Sequence, residues 1–118
     1  MTSKTMARSG PFSSLFSLRR SRIDIAFKKA EYAASIPGIK VLHAAADEGV
    51  KVLVVPTRTC KGHVQRNLVR RRIKSIIYEN QLATAPGTTL ILLYQQSLDL
   101  SFDELTQFLI RAFRKINR

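Results

Sequence analysis

The sequence predicts a single α+β domain, in which a sheet of about four strands packs against helices in the order α-β-β-β-α-β-α. Two observations support this class. Segments with helical hydrophobic periodicity alternate with short apolar runs that are bounded by turn residues. The chain has 118 residues, of which 45% are hydrophobic, so it can bury one hydrophobic core but is too short to form two cores of ordinary size.

Basic residues dominate the charge of the chain. Twenty Lys and Arg stand against eight Asp and Glu, which gives a formal net charge of +12 and indicates a polyanionic partner, either nucleic acid or an anionic membrane surface. The longest apolar runs, residues 52–55 and 90–93, are far shorter than the roughly 20 residues that a membrane-spanning helix needs. We therefore expect a nucleic-acid partner, with no membrane and no small-molecule substrate.

The first residues differ in composition from the rest. Residues 1–14 are rich in Ser, Thr, Lys and Arg, which predicts a disordered basic tail ahead of a domain at 15–118. The first 23 residues contain no acid, so an organellar transit peptide is the alternative interpretation. The single cysteine, Cys60, cannot form an intramolecular disulfide. This suits a reducing compartment, and we expect a cytoplasmic protein.

The first half of the chain predicts a helix followed by strands. Residues 17–30 should form a short amphipathic helix whose apolar face holds Leu18, Ile23, Ala26 and Phe27. Turn signals at 35–38 and 47–49 bracket a predicted strand at 39–45. The β-branched run 50–55 is typical of a strand buried on both faces, and Pro56 can end it. We expect these two strands to pair as a hairpin.

The second half predicts two helices and a buried strand between them. Residues 65–82 should form a helix, and the break at 85–87 precedes a strand at 89–94. Ser101 and Glu104 have the spacing of a capping box that opens the last helix, which should run to about Ile116. The expected buried stripe of the earlier helix is Val69, Ile73, Ile76 and Ile77, and that of the last helix is Leu105, Phe108, Leu109, Ala112, Phe113 and Ile116.

Cations are concentrated around the helix at 65–82, and no acid lies among them. They are Arg58, Lys61, Arg66, Arg70, Arg71, Arg72 and Lys74. At about 100° per residue, Asn67, Arg71, Lys74 and Tyr78 align opposite the buried stripe. Guanidinium groups bind phosphate through two parallel hydrogen bonds, and Asn offers both a donor and an acceptor. We interpret this face as a nucleic-acid surface, and an ordinary solvated helix face is the alternative.

The residues of this helix resemble a known family. Arg66-Asn67 followed by Val69, Arg70, Arg71, Ile73 and Lys74 resembles the Arg-Asn-Arg signature helix of bacterial ribonuclease P protein. Leu18-Arg19-Arg20 with Ile23, Ala26 and Phe27 resembles the family's opening pattern, and residues 100–105 resemble the start of its last helix. The likeness covers roughly residues 15 to 115 in one consistent order.

Some positions depart from the family pattern. The usual Ser-Lys-Lys before the signature helix reads Thr57-Arg58-Thr59, so one cation is lost. The second arginine of the signature is Leu68, which puts one expected RNA contact in doubt. Arg72 is a cation where the family is often apolar, and an arginine common after the fourth strand is absent at 94–95. A diverged member of the family explains this pattern better than chance.

The resemblance implies both a fold and a division of labour. The fold would contain a left-handed β-α-β crossover, as in the second domain of ribosomal protein S5, an exception to the usual right-handed rule. The RNA subunit, with Mg²⁺, would hydrolyse the phosphodiester bond, and the protein would bind that RNA and the 5′ leader of precursor tRNA. The implied contacts to the catalytic RNA are Arg58, Lys61, Arg66, Asn67, Arg70, Arg71 and Lys74. Candidates for a leader-binding groove between the first helix and the sheet are Phe16, Arg19, Arg20, Phe27 and Tyr32.

Aromatic side chains can stack on bases of any sequence, which is why three of them are leader candidates. For Phe27, a place in the hydrophobic core is the favoured alternative.

The residues give little support to catalysis by the protein itself. The acids at 47–48 lie in a predicted turn and those at 103–104 in a cap, while His43 lies within a predicted strand. His63 borders the basic helix and could touch phosphate, although a loop histidine near arginines is ordinary. Cys60 is expected to be buried and inert. We therefore expect no catalytic residue and no metal site in this chain.

Two other classes of protein would also account for the high positive charge of the chain. A structural, ribosomal-type RNA-binding protein would bind RNA without stimulating cleavage. A helix-turn-helix DNA-binding module would need a second helix joined by a tight turn, whereas strands flank the basic helix here. The first alternative is the stronger of the two.

Overall fold

In a computed structural model, the described residues are 15, 16, 18, 20–46 and 49–117. They confirm the predicted α-β-β-β-α-β-α order. The elements are α1 (Arg20–Lys29), β1 (Glu31–Ile36), β2 (Ile39–Ala45), β3 (Val50–Pro56), α2 (His63–Glu79), β4 (Gly87–Leu93), a short 3-10 helix (Gln95–Asp99) and α3 (Phe102–Ile116). The predicted tail at 1–14 lies outside the described residues.

The four strands form one mixed sheet in the order β1-β2-β4-β3. β1 and β2 form an antiparallel hairpin across the turn at Pro37 and Gly38, and β2 also pairs antiparallel with β4. β3 and β4 are parallel neighbours that are connected through α2. The predicted β-α-β unit is therefore confirmed, and the left-handedness of its crossover stays a prediction.

The predicted hairpin between residues 39–45 and 50–55 is wrong. β4 lies between these strands and pairs with both of them along its whole length. The physical reason is burial: only one residue of β4, Leu92, is not fully buried, whereas β3 shows alternating partial burial. A strand that is apolar on both faces belongs in the centre of a sheet. β3 is therefore an edge strand rather than a strand buried on both faces.

The helices cover both faces of the sheet. α2 and α3 pack on one face, where the main core includes Val41 of β2 and Ile91 of β4. Alternate residues of a strand point to opposite faces, and Leu90 accordingly belongs to a second cluster with Ala26 and Ala44. Since Ala26 is the buried residue of α1, α1 packs on the opposite face from α2 and α3.

The details of the helices confirm most of the sequence predictions. The buried residues of α2 are Val69, Ile73, Ile76 and Ile77, as expected. The capping box of α3 is present, because Oγ of Ser101 accepts from the Glu104 amide at 3.1 Å and the Ser101 amide donates to Oε1 of Glu104 at 2.9 Å. The expected buried stripe of α3 is also present, except that Ile116 is only half-buried.

Phe27 is the clearest error among the predicted core residues. Its side chain is 44% exposed, although it follows the buried Ala26 directly. α1 has only 10 residues and buries a single one of them, so its contact with the sheet is too narrow to cover Phe27 as well.

The predicted turn at 35–38 is also shorter than expected, since β1 continues through Ile36. Among the described residues, no helix is long and apolar enough to cross a bilayer.

Candidate nucleic-acid interface

The loop before α2 is held in place by hydrogen bonds from its backbone. The Thr57 amide donates to the Leu93 carbonyl at 2.8 Å, and the Lys61 amide donates to Oε1 of Gln95 at 2.8 Å. Cys60 is buried between these anchors, as predicted, with Sγ 4.0 Å from Oγ of Ser97. The exposed side chains of Arg58 and Lys61 therefore extend from a fixed backbone.

The helix begins at a point that favours negative charge. Gly62 precedes α2 with φ 95°, and neither a side-chain cap nor an acid in the first turn is present there. The unsatisfied amides of a helix N-terminus carry a partial positive charge. This adds to the positive potential of the neighbouring Lys61 and Arg66.

His63, the first residue of α2, contacts two of the predicted RNA-binding side chains. Nη2 of Arg66 lies 3.2 Å from Nδ1 of His63, and the Asn67 amide nitrogen lies 3.4 Å from Nε2 of His63. The three side chains are exposed or half-exposed. They form a small polar cluster at the start of the helix.

Farther along α2, a shallow depression of about 460 Å³ opens on the outer face. Its lining includes four of the residues predicted to contact RNA. They are Asn67, Arg70, Arg71 and Lys74, together with Val64. The structure therefore brings together the cations that the helical spacing placed on one side.

The depression contains an unsatisfied cation. Nε of Arg70 is buried and has no hydrogen-bond partner among the described residues. Burial lowers the pKa of Lys74 from its ordinary value, and the charge of Arg70 lowers that pKa further. Buried polar groups without partners are rare and costly in folded proteins. An anion in the depression would offset the repulsion between Arg70 and Lys74.

Phe16 lies beside this surface and not in the predicted leader groove. The ammonium nitrogen of Lys74 is 5.4 Å from the centroid of the Phe16 ring, which is the geometry of a cation–π contact. Phe16 also packs, partly buried, against the main core on the side of α2 and α3. The structure therefore separates Phe16 from the other aromatic leader candidates.

Phe27 and Tyr32 remain available on the side of α1. Tyr32 is 62% exposed and pairs across the sheet with Leu42, which packs against the cluster under α1. Paired residues share a face of the sheet, so Tyr32 lies on the same face as α1. Arg20, at the first turn of α1, is exposed as well. Arg19 lies outside the described residues.

A second depression, of about 490 Å³, adjoins Tyr32 and is lined by Lys29, His43 and Lys115 among others. His43 is held between strands: Nδ1 lies 3.0 Å from Oγ1 of Thr89, and Nε2 lies 3.2 Å from the Pro86 carbonyl oxygen. Burial lowers the pKa of His43, and the bond to Pro86 opposes this effect. The prediction that His43 lies in a strand is confirmed.

The sequence did not reveal two features of this interface. One is the contact of His63 with Arg66 and Asn67, although their spacing of three and four residues was a usable signal. The other is an exposed apolar pair, Val64 at 74% and Leu68 at 37%, one turn apart beside the cations. Leu68 occupies the position where the family pattern has an arginine, so the surface is apolar where that pattern predicts a cation.

The described residues contain no cluster of three or more His, Cys, Asp or Glu side chains that could hold a metal ion.

Known structures share this fold at low sequence identity. RNase P protein from Staphylococcus aureus is 11% identical with a TM-score of 0.72, over 85% of this chain and 93% of that one. A mutant of the S. aureus protein with defective mRNA degradation activity is 10% identical with a TM-score of 0.76, over 98% and 94%. RNase P protein from Thermotoga maritima is 15% identical with a TM-score of 0.72, over 84% and 98%.

Sequence comparison gives the family. No curated protein sequence matches this chain. The sequence model of the family described as Ribonuclease P, however, matches residues 16–117, which include the sheet, α2 with its cationic depression, and α3. A match over this length, together with the shared fold, leaves one assignment: the chain belongs to the ribonuclease P protein family.

Proposed function

We propose that this chain is the protein subunit of ribonuclease P, and that it binds the catalytic RNA through the outer face of α2 and the loop at 57–62. The observation that carries the proposal is the depression on α2 that brings Arg70, Arg71 and Lys74 together, where Nε of Arg70 has no hydrogen-bond partner among the described residues. Phosphate oxygens in the depression would accept from the guanidinium and ammonium groups that line it and would neutralise the cluster. Arg58, Lys61, Arg66 and Asn67 would extend the same contact along the RNA backbone.

The leader of precursor tRNA is the second partner in the proposal. Phe27 and Tyr32 offer exposed aromatic faces on the α1 side of the sheet, and the exposed Arg20 adds a cation there. Stacking on such faces tolerates any base, which suits leaders of varied sequence. The α2 surface lies on the opposite face of the sheet from Phe27 and Tyr32, so in this proposal the protein holds the catalytic RNA and the leader at once.

The chemistry in this proposal belongs to the RNA subunit and its Mg²⁺ ions. Among the described residues, two of the candidate acid-base groups have structural roles: His43 bridges β2 and β4, and Glu104 completes the cap of α3. The protein would assist by binding and positioning, because its cations would neutralise part of the charge of two polyanionic partners. A cytoplasmic location is part of the same proposal.

The experiment that tests this function is cleavage of a precursor tRNA by a bacterial-type ribonuclease P RNA at low magnesium, with and without the protein. We expect the protein to stimulate cleavage and to show no cleavage without the RNA. Tight binding to the RNA with no stimulation would instead identify a structural RNA-binding protein. Absence of both binding and stimulation would reject the proposal.

A further inference from the structure

We propose that His63 is a positioning residue, which orients Arg66 and Asn67 for contact with RNA. The inference rests on the function proposed above, because it assumes that these two side chains meet the catalytic RNA. It assigns to His63 a role that acts through its neighbours and not through a contact of its own with phosphate.

The geometry of α2 makes this arrangement possible. Residues three and four positions apart lie on the same side of a helix, so His63 faces Arg66 and Asn67 together. The contacts are 3.2 Å from Nη2 of Arg66 to Nδ1 of His63, and 3.4 Å from the Asn67 amide to Nε2 of His63. Both nitrogens of the imidazole are therefore occupied by side chains of the RNA-binding face.

The donor and acceptor chemistry fixes the orientation of each group. A guanidinium only donates, so Nδ1 of His63 must accept from Arg66, and the neutral ring then carries its proton on Nε2. That proton needs an acceptor, which is the amide oxygen of Asn67 after a half-turn of the amide group, since the oxygen and nitrogen positions are interchangeable on geometry alone. The Asn67 NH₂ group then points away from His63 and is available as a donor.

The arrangement also gives Arg66 a partner in a region without acids. No Asp or Glu occurs between Gly49 and Tyr78, and Arg70 lies one turn from Arg66. A free guanidinium there is repelled by its neighbours and has many rotamers to lose on binding. A neutral acceptor at His63 holds Arg66 near one geometry while leaving its other donors free. Side chains that are ordered before binding lose less entropy when they bind.

The first test uses the protein without RNA, so it does not depend on the proposed function. Side-chain ¹⁵N relaxation of Arg66 and Asn67 is measured by NMR in the unsubstituted protein and in His63→Ala. We expect both side chains to become more mobile in His63→Ala, while His63→Gln, which keeps an acceptor and a donor, restores part of the order. Unchanged mobility in His63→Ala would overturn the proposal.

The second test is a double-mutant cycle on affinity for ribonuclease P RNA at fixed salt. We expect His63→Ala to weaken binding about three- to tenfold, the range expected for loss of one ordinary hydrogen-bonded contact. In the Arg66→Ala/Asn67→Ala background, the same substitution should have almost no effect. An equal loss in both backgrounds would show that His63 contacts RNA independently, which contradicts a positioning role.

The two tests distinguish failure of the positioning role of His63 from failure of the proposed function. If the unsubstituted protein does not bind the RNA, the proposed function fails, and an RNA-binding role for His63 fails with it. If the protein binds RNA but His63→Ala leaves both affinity and side-chain mobility unchanged, only the positioning role fails.

Discussion

The ammonium group of Lys74 lies over the ring of Phe16, 5.4 Å from its centroid, at the edge of the cationic depression on α2. An ammonium on an aromatic face is partly removed from water, and burial is the main reason why the pKa of Lys74 is lowered. Arg70 contributes in the same direction. A bound phosphate should therefore stabilise the charged form of Lys74 more than the charged form of an exposed lysine.

This relationship predicts that RNA affinity depends on pH through Lys74. A bound phosphate should raise the pKa of Lys74 toward its ordinary value, so binding takes up a proton in the range between the two values. Affinity should then fall as pH rises through the lowered pKa of Lys74 toward the ordinary lysine value of 10.5. Lys74→Arg keeps the charge throughout this range and should show a smaller decline.

The measurement is RNA affinity across this pH range for the unsubstituted protein and Lys74→Arg. Lys115→Arg serves as the control, because Lys115 is exposed on α3 and lies outside the α2 depression. Identical pH profiles for all three proteins would contradict a role for Lys74 in phosphate binding.

The aromatic residues should separate into two classes when truncated to alanine. Phe27→Ala and Tyr32→Ala remove exposed rings, so we expect nearly unchanged stability and weaker binding of precursor tRNA, by about 1–3 kcal/mol for each stacked base that is lost. Mature tRNA has no leader, so its binding should not change. Phe16→Ala should instead lower stability, because Phe16 packs against the core.

The comparison requires chemical unfolding and binding to both tRNAs in complex with ribonuclease P RNA. Phe102→Ala is the matched control, because that ring is 53% exposed at the start of α3, outside the candidate groove. A loss of leader binding in Phe102→Ala as large as that in Phe27→Ala would remove the evidence for a groove.

The sequence predicted those parts of the fold that depend on local patterns. It failed where two strands compete for the same pairing partner. The buried stripe of α2 and the capping box of α3 depend on spacing along one helix, and both were predicted correctly. The partner of β3 depends on which strand is apolar on both faces, and the adjacency of residues 39–45 and 50–55 gave the wrong neighbour. Proximity in the chain is a weak guide when a later strand competes for the central place.

The same distinction applies to the candidate site. Helical periodicity brought Asn67, Arg71 and Lys74 to one face, as the structure shows. It could not distinguish Phe16 from Phe27, because both are isolated aromatic residues in basic segments. Their positions depend on the path of the chain before α1 and on the narrow contact of α1 with the sheet, which no local pattern encodes.

Gly87, at the start of β4, should not tolerate a side chain. Its φ is +115°, and a Cβ there would lie 2.2 Å from the Ala44 carbonyl oxygen. Both the left-handed backbone and the clash with the backbone of β2 oppose alanine, so we expect Gly87→Ala to lower the free energy of unfolding by at least about 2 kcal/mol. Chemical denaturation measures this change.

Gly49 offers the matched control for that substitution. Nothing lies within 4 Å of a Cβ built at Gly49. Gly49→Ala should therefore change the free energy of unfolding by no more than about 0.5 kcal/mol. Equal losses of stability in Gly87→Ala and Gly49→Ala would show that the close approach of Gly87 to the backbone of β2 does not determine the effect.

Charge removal on α2 should weaken RNA binding in a salt-dependent way. Replacing Arg66, Arg70 and Arg71 together with alanine removes three phosphate contacts in our proposal, so the slope of log affinity against log salt should decrease in magnitude by about 2 to 3. The matched control replaces Arg111, Arg114 and Lys115 on α3, which removes the same charge from exposed positions. Unchanged affinity of the α2 variant at moderate salt would exclude this face as the main RNA contact.

Acid should destabilise the protein through His43, which connects β2 to the start of β4. Burial lowers the pKa of His43 below its ordinary value of 6.5, so the unfolded chain binds more protons than the folded chain just below that pH. Stability is therefore fully present above about pH 6.5 and is lost as pH falls toward the lower folded value. His43→Gln does not titrate, so it should lack this part of the acid sensitivity.

The measurement is the free energy of unfolding of both proteins at about pH 7.5 and about pH 5.5. All other groups titrate alike in the two proteins, so the difference between their pH dependences reports His43 alone. The unsubstituted protein should lose more stability between these values than His43→Gln does. A parallel decline would mean that the protonated imidazole is accommodated beside Thr89 and Pro86, because the Thr89 hydroxyl can turn to accept from Nδ1 and water can reach the ring.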